Sequence, residues 1–520
     1  MTDGPAPAPA APGSAYEQLS YPGYAYATTH PARLEVVGRL LGLDPAPAAS
    51  CRVLELGCGD GGNALSIAQT LPGAAVVGLD AAGAAVARGV ELARAAGLEN
   101  VDLRVGDFES LLAGTHEGGG ARDAGSGSWL APASVDYVIA HGVYSWIPPA
   151  ARVALLACVR RVLAPHGIAF VSYNAYPGSY LRDMARDMLR WHLRDVAEPA
   201  ARLAGAHELM ETIVAIEEPS PYARVLREHM ERMLRASDAL LFHDDLAEIS
   251  TPFYVHEVAE HAAAHGLRFL AEAELAESMM REVPASAERL MAGAADDVVA
   301  REQYLDFFKN RMFRQTLLCH GEVPARRALD DRVLERLWLS TAARSAGGDG
   351  GEETFATQDG HTMTTSEPHV RAAMRALAAA WPAALPFAET AAAAREAAGA
   401  EVPADVVDAR LRDVMLQAHL ARVVGLAGCP LPAASAATAA AAERQRASAL
   451  ARAQQAAGAE VISSLLHANV KLDEPLDLAL LPLLDGTRDR DALRAALPDA
   501  PAADLDAALE RLAALGLLHA

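Results

Sequence analysis

Cysteine is scarce in this 520-residue sequence, and the few cysteines are scattered without any C-x-x-C pair. They are Cys51, Cys58, Cys158, Cys319 and Cys429. This pattern argues against a disulfide framework and against a zinc site, so we expect a cytoplasmic protein without a bound metal. Lysine is scarcer still, occurring only at Lys309 and Lys471, whereas arginine and alanine are abundant. Such an imbalance is typical of a compositional bias of the genome, and it says little about function.

Long apolar runs are also missing. No uncharged apolar stretch of about 18 residues is present to span a bilayer, so we expect no membrane insertion. Residues 1–15 are rich in proline and alanine and lack the features of a signal peptide, which predicts a disordered tail. The formal net charge of −22 opposes contact with phosphate backbones over most of the surface. Nucleic acid is therefore not an expected partner.

Short apolar runs alternate with helical stretches in the first third of the sequence and predict buried strands. The runs are residues 52–56, 75–79, 101–105, 135–140 and 167–173. Repetition of strand and helix implies a parallel sheet covered on both faces, with ligands at the carboxyl ends of the strands. After Pro177 the chain is predicted to be largely helical to about His320, with residues 267–271 as a strand added to the sheet edge.

The segment 53–63, VLELGCGDGGN, predicts a strand that runs directly into a glycine-rich turn. Gly57, Gly59 and Gly62 satisfy the dinucleotide pattern G-x-G-x-x-G. Asp80 ends the second predicted strand, where a carboxylate accepts hydrogen bonds from ribose hydroxyls. These features alone leave both a nicotinamide dinucleotide and a methionine-containing nucleoside open as the cofactor.

The position of Glu55 distinguishes between these two possible cofactors. It lies two residues before Gly57, where a dinucleotide-binding strand is normally apolar, and its charge would repel a pyrophosphate. A carboxylate at this position can instead meet the ammonium group of a methionine moiety. Asp107 and Phe108 end the third strand, where Asp107 is placed to accept from an adenine amino group.

Together these strand-end motifs resemble the class I S-adenosylmethionine-dependent methyltransferases. The resemblance implies a Rossmann-like α/β sheet with S-adenosylmethionine as the cofactor. It assigns cofactor binding to Glu55, Gly57, Cys58, Gly59, Gly61, Asn63, Asp80, Asp107 and Phe108, with Cys58 as a small packing residue of the turn.

A second motif follows the fourth and fifth predicted strands and supplies candidates for catalysis. His141, Tyr144, Trp146 and Asn174 are expected at strand ends facing the transferred methyl group. Aromatic faces attract a cationic sulfonium or an alkylamine. Each of these residues, taken singly, can equally be a packing residue that covers the core.

Longer segments narrow the resemblance to bacterial methyltransferases with a methyltransferase regulatory domain, including the rickettsial protein lysine methyltransferases. The matching segments are 16–31, 140–146, 302–307 and 311–320. The resemblance implies a lid or cap at 16–50, a cofactor-binding core at 51–180 and a helical regulatory or substrate domain at 181–320. It also implies a small winged-helix-like domain at 457–520. Between them we predict a linker at 343–360 and an alanine-rich helical region at 361–456.

The leading functional prediction is a protein lysine methyltransferase. A methyltransferase acting at oxygen or nitrogen of a small molecule remains an alternative, as does a non-catalytic scaffold that binds adenosylmethionine. The expected partner is a protein or small-molecule methyl acceptor, and a homodimer is one expectation for the assembly. Residues 460–520 carry five basic against eleven acidic residues, which opposes DNA binding by the winged-helix-like domain.

Overall fold

The structure is a computed structural model that describes residues 23–113, 131–217, 220–278, 285–294, 296–348, 351–498 and 500–519. The predicted tail and the first residues of the predicted lid lie outside these residues.

The strands are β1 (Arg52–Leu56), β2 (Ala75–Asp80), β3 (Val101–Val105), β4 (Val135–Ala140), β5 (Leu163–Asn174), β6 (Leu267–Glu272), β7 (Phe313–His320), β8 (Trp338–Ser340), β9 (Arg344–Ser345), β10 (Glu353–Ala356), β11 (Thr362–Thr365), β12 (Leu385–Pro386), β13 (Gly425–Ala427), β14 (Val461–Ser463) and β15 (Asn469–Lys471). The helices are α1 (Pro31–Leu40), α2 (Gly62–Thr70), α3 (Gly83–Ala96), α4 (Phe108–Ala113), α5 (Pro149–Val162), α6 (Ser179–His192), α7 (Pro199–Val214), α8 (Pro221–Leu234), α9 (Asp238–Leu240), α10 (Val255–Ala264), α11 (Ala285–Ala292), α12 (Val298–Lys309), α13 (Pro368–Ala380), α14 (Phe387–Ala398), α15 (Ala404–Leu420), α16 (Ala436–Ala441), α17 (Ala449–Ala456), α18 (Pro475–Leu480), α19 (Arg490–Ala496) and α20 (Ala502–Ala514).

A seven-stranded sheet forms the centre of the first part of the chain, in the order β3-β2-β1-β4-β5-β7-β6. The pairs among β1 to β5 are parallel, as the strand and helix alternation predicts. The carboxyl ends of these strands therefore meet at one edge, where β1 to β5 deliver the predicted site residues. The predicted added strand is confirmed as β6, which lies at the sheet edge.

Strand β7 is absent from the sequence prediction, which made residues up to His320 largely helical. It runs antiparallel between β5 and β6, so the sheet is completed by a segment far beyond residue 180. The predicted cofactor-binding core at 51–180 therefore does not contain the whole sheet. Arg314, the second residue of β7, breaks the apolar pattern of a buried strand, which explains why β7 was not predicted.

Arg314 is fully buried and lies at the centre of a cluster of carboxylates. Its Nε is 3.2 Å from Glu272 Oε1, its second nitrogen is 3.2 Å from Asp306 Oδ2, and a third pairs with Glu302. Burial of a charge is tolerated only when the charge is paired. The cluster therefore joins β6, β7 and α12 into one unit beneath the sheet edge.

Replacing Arg314 by methionine should destabilise the protein strongly. Removing one partner of a buried ionic cluster leaves the remaining charges unpaired and costs about 3–5 kcal/mol. Urea unfolding followed by circular dichroism measures the loss. The control is Arg326→Met, because Arg326 is exposed and its only ion pair among the described residues is with Asp330, and surface pairs contribute about 0–1 kcal/mol. Equal losses in both variants would contradict a structural role for the cluster.

The segment predicted as a linker forms an antiparallel three-stranded sheet instead, made of β9, β10 and β11. Phe355 is fully buried, and Glu353 is buried and paired with Arg375. A turn at residues 357–361 joins β10 to β11. The alanine-rich region that follows is largely helical, as predicted, in α13 to α17.

The C-terminal elements β14, β15 and α18 to α20 pack around their own apolar core. This part docks against the helix that follows the glycine-rich turn. Ser448 Oγ lies 2.6 Å from Gln69 Oε1, and His467 Nδ1 lies 2.8 Å from Ser66 Oγ, with both partners on α2. The described helices include none with the length and apolarity needed to cross a membrane.

Candidate active site

The glycine-rich turn after β1 depends on left-handed backbone angles. Gly57 has φ +76° and Gly59 has φ +57°, a region that favours glycine. A Cβ on Gly57 would lie 2.4 Å from Val143, whereas a Cβ on Gly59 would meet no atom within 4 Å. The turn is thus closed on one side by the loop after β4 and open above Gly59. That open side leaves room for a ligand to approach the backbone.

Glu55 lies beneath this turn with only 4% of its surface exposed. Its Oε1 accepts a 2.9 Å hydrogen bond from Asn63 Nδ2, while Oε2 is buried and has no partner among the described residues. Burial raises the pKa of Glu55 to about 8. An unsatisfied buried carboxylate oxygen is costly, and a cationic donor from a ligand would remove that cost.

Asp80 ends β2 on the other side of the turn. Its Oδ2 accepts from the backbone N–H of Gly59 at 2.8 Å, and its Oδ1 accepts from that of Ala82 at 2.8 Å. A carboxylate has about four acceptor positions, so each oxygen retains capacity for a ribose hydroxyl. Asp80 both shapes the turn and remains available to a ligand.

The structure places the other predicted cofactor residues in two groups. Cys58 is buried behind the turn, where burial raises its thiol pKa well above the usual value, in keeping with packing. Gly61 caps α2 with φ +79°. Asp107 is exposed and Phe108 is half-buried at the start of α4, beside the end of β2, because Gly106 N–H donates to the Asp80 carbonyl.

Asn63 is a buried residue that holds neighbouring residues of the site in place and does not line the surface of the site. It is buried, and its Nδ2 donates to Glu55. Its Oδ1 accepts from the backbone N–H of Tyr26 at 2.9 Å and from Thr29 Oγ1 at 3.1 Å. Both ends of the amide are therefore used, and Asn63 joins Glu55 to the N-terminal segment.

The N-terminal segment lies directly on the turn, a contact that residue spacing cannot reveal. A Cβ on Gly62 would lie 2.4 Å from the backbone of Gly23. The ring of Tyr26 is 3.8 Å from that of His141 between centroids. Tyr26 is a site residue that the motif analysis did not single out, although it lies in the tyrosine-rich stretch predicted as a lid. His30 is buried and caps α1 by accepting from Ala32 N–H, so it does not face the turn.

The four candidate catalytic residues differ in how deeply their side chains are buried. Tyr144 is fully buried, and its hydroxyl is 2.9 Å from His261 Nδ1 on α10. Trp146 is half-buried between strand ends, with Arg182 and Arg186 each 5.8 Å from its ring. The buried position of the Tyr144 hydroxyl does not support the expectation that Tyr144 faces the transferred methyl group.

His141 and Asn174 lie at the carboxyl ends of β4 and β5. Burial lowers the pKa of His141 to about 4, and its Nδ1 is buried without a partner among the described residues. Asn174 is buried, and its backbone N–H donates to Ser145 Oγ at 2.9 Å. At neutral pH His141 is an uncharged ring that packs on Tyr26, and not an imidazolium.

Three family descriptions match parts of this chain. Residues 47–191 match a methyltransferase domain, residues 237–320 match a predicted methyltransferase regulatory domain, and residues 443–513 match the C-terminal winged helix domain of PKMT. An uncharacterized protein of Rickettsia prowazekii is 30% identical over 257 residues, which cover 49% of this chain and 96% of that protein. The chain belongs to the methyltransferases that carry this regulatory domain. The match to a methyltransferase domain agrees with the predicted cofactor, S-adenosylmethionine.

Two further similarities extend over more of this methyltransferase. A second uncharacterized protein of Rickettsia prowazekii is 31% identical over 323 residues, 62% of this chain, and the match spans 55% of the length of that relative. The structure of PKMT2 from Rickettsia typhi superposes with a TM-score of 0.80 over 96% of this chain and 99% of the other, at 24% identity. The same protein in complex with AdoHcy gives a TM-score of 0.79. The fold of the whole described chain, including the winged-helix domain, is thus that of PKMT2.

Proposed function

We propose that this chain is an S-adenosylmethionine-dependent protein methyltransferase that acts on lysine side chains. The cofactor part of the proposal rests on Oε2 of buried Glu55, which has no partner among the described residues and fits the ammonium group of the methionine moiety. Asp80 fits the ribose hydroxyls, and the open side of Gly59 fits close approach of the ligand to the backbone. Asp107 and Phe108 would hold the adenine beside the end of β3.

An exposed aromatic surface supports an amine as the acceptor. Tyr176 follows Asn174 by two residues, and its ring stacks on Tyr180 with centroids 4.1 Å apart. Tyr254 lies 5.4 Å from Tyr176, and Phe307 lies 6.0 Å from Tyr254. Aromatic faces attract ammonium groups, and desolvation beside them lowers the pKa of an amine toward its neutral, nucleophilic form.

A groove between α10 and α12 continues from this surface and supports a polypeptide acceptor. It has a volume of about 600 Å³, and its lining includes Phe307 of the aromatic surface. Two carboxylates, Glu260 and Asp297, contribute to a lining that contains neither lysine nor arginine. An open apolar groove with acidic residues suits a peptide segment that carries apolar and basic side chains.

S-adenosylmethionine held by Glu55 and Asp80 would supply a methyl group on a cationic sulfur for transfer to the amine nitrogen. The residues of the chain contribute by holding both partners in line and by excluding water. His141 is a poor proton acceptor here, because its pKa of about 4 is about six pKa units below that of a lysine amine. We expect the acceptor lysine to lose its proton to solvent before transfer.

Replacing His141 by phenylalanine should therefore leave kcat/KM for methyl transfer within about tenfold of the parent value. Phenylalanine retains the ring contact with Tyr26, whereas loss of a true general base costs about 10²–10⁴-fold. The matched control is Tyr144→Phe, which loses the bond to His261 and should lower thermal stability more than activity. A loss of 10²-fold or more in His141→Phe alone would make His141 the base.

The acceptor is tested with methyl-labelled S-adenosylmethionine and pairs of basic peptides that differ only by lysine or arginine at each position. We expect label in the lysine peptides, none in their arginine partners, and less label with Asp80→Ala at a cofactor concentration below its Kd. Label that appears only in a small-molecule fraction would favour the small-molecule methyltransferase. Cofactor binding without transfer to any acceptor would favour the scaffold.

A further inference from the structure

A hairpin of the C-terminal domain reaches back to the first described residues of the chain. Asn469, at the start of β15, makes two hydrogen bonds with the backbone of Ala25. Its Oδ1 accepts from Ala25 N–H at 2.9 Å, and its Nδ2 donates to the Ala25 carbonyl at 2.9 Å. A side-chain amide paired in this way fixes both the position and the direction of the peptide it holds.

The peptide held by Asn469 is directly connected to the cofactor site. Tyr26 follows Ala25, and its N–H donates to Asn63 Oδ1, while Asn63 Nδ2 donates to Glu55. The ring of Tyr26 covers His141. One unbroken path of hydrogen bonds and chain therefore leads from Asn469 to the carboxylate beneath the glycine-rich turn.

The hairpin that carries Asn469 is itself anchored on the helix that carries Asn63. His467, at the tip of the hairpin, has φ +54° and is 2.8 Å from Ser66 Oγ through its Nδ1. Ser66 follows Asn63 by one turn of α2, so both residues lie on the same face of that helix. The C-terminal domain thus holds the N-terminal segment and α2 in one fixed arrangement.

We propose that Asn469 is a positioning residue of the cofactor site, through which the C-terminal domain holds the Gly23–Tyr26 segment over the glycine-rich turn. Asn469 is exposed, so its side chain is not needed to fill the core. Its two bonds join residues 444 positions apart in the sequence. Loss of these bonds frees the segment and leaves Asn63 and Glu55 less firmly oriented toward the ligand.

The test measures S-adenosylmethionine binding by calorimetry in the full chain. Asn469→Ala should raise Kd about fivefold and speed hydrogen–deuterium exchange in residues 23–30, while thermal unfolding of the domains stays close to that of the parent. Asn469→Asp, which keeps the acceptor for Ala25 N–H and loses the donor, should weaken binding in the same direction. The matched control is Lys471→Ala, at the next outward position of β15, which should change neither quantity. Unchanged Kd in both Asn469 variants would overturn the proposal.

A double-mutant cycle distinguishes positioning from a general loosening of the fold. Asn63→Ala breaks the path to Glu55, so adding Asn469→Ala to it should raise Kd less than twofold further. Two effects that simply multiply would show that Asn469 acts by another route and would contradict the proposal. The measurement needs only the cofactor, so it stands whether or not lysine is the acceptor.

Discussion

Replacing Glu55 by glutamine should weaken S-adenosylmethionine binding about thirtyfold or more while stabilising the ligand-free protein. The carboxylate is buried, and one of its oxygens has no partner in the part of the chain that the structure describes. Burying it therefore destabilises the ligand-free fold, and a cationic ligand would offset that cost. Loss of a buried charged hydrogen bond costs about 2 kcal/mol or more, which corresponds to about thirtyfold in Kd. Calorimetric titration measures the affinity, and urea unfolding measures the stability.

Both effects of Glu55→Gln, the gain in stability and the loss of affinity relative to the parent, should grow as pH rises. Burial raises the pKa of Glu55 from 4.5 to about 8, so the folded state holds its proton more tightly than the unfolded state. The parent protein therefore loses stability relative to Glu55→Gln as pH rises from about 4.5 to 8, by up to about 5 kcal/mol. Over pH 6–7.5 its affinity for the cofactor should rise, because binding favours the ionised carboxylate, whereas the affinity of Glu55→Gln stays flat.

The matched control for this prediction is Glu35→Gln. Glu35 is also buried, but its oxygens are satisfied by Arg39 and by the backbone N–H of Ala48. This control should destabilise the protein and leave cofactor affinity unchanged. If Glu55→Gln bound S-adenosylmethionine as tightly as the parent, the assignment of Glu55 to the ammonium group would be wrong.

Replacing Asp80 by alanine should weaken cofactor binding by at least tenfold, which is about 1.4 kcal/mol. The substitution removes the acceptor for the ribose hydroxyls and also the bonds that hold Gly59 and Ala82 in the turn. The control is Asp102→Ala on the neighbouring strand, because Asp102 is exposed and pairs only with Arg104. Equal affinity in the two variants would remove Asp80 from the cofactor site.

Methylthioadenosine has the ribose and adenine but no methionine ammonium group. Its binding therefore distinguishes the role of Asp80 from that of Glu55. Asp80→Ala should weaken binding of this analogue, whereas Glu55→Gln should not. Weakening by both variants would mean that Glu55→Gln disturbs the turn as a whole. NAD serves as a further control, since tight binding of NAD would contradict the argument from Glu55.

The strand, turn and second-strand aspartate of the cofactor site were predictable from the sequence because they depend on neighbouring residues. Glycine at positive φ, a carboxylate two residues earlier and an aspartate at the end of the next strand are local requirements, visible as spacing. Strands β1 to β5 are predictable for the same reason. Strands β1, β2, β4 and β5 are largely buried, which produces apolar runs, whereas only Leu103 is buried in the edge strand β3.

The tertiary structure alone decided features that depend on partners distant in the chain. Arg314 is compatible with a buried strand only because Glu272, Glu302 and Asp306 converge on it. Tyr144 is fully buried, and α10 supplies His261 as the partner of its hydroxyl. Asn469 reaches Ala25 across 444 positions, and no local pattern in either segment records that pairing. Periodicity reports which face of an element is buried, whereas only the packed fold determines which side chains meet there.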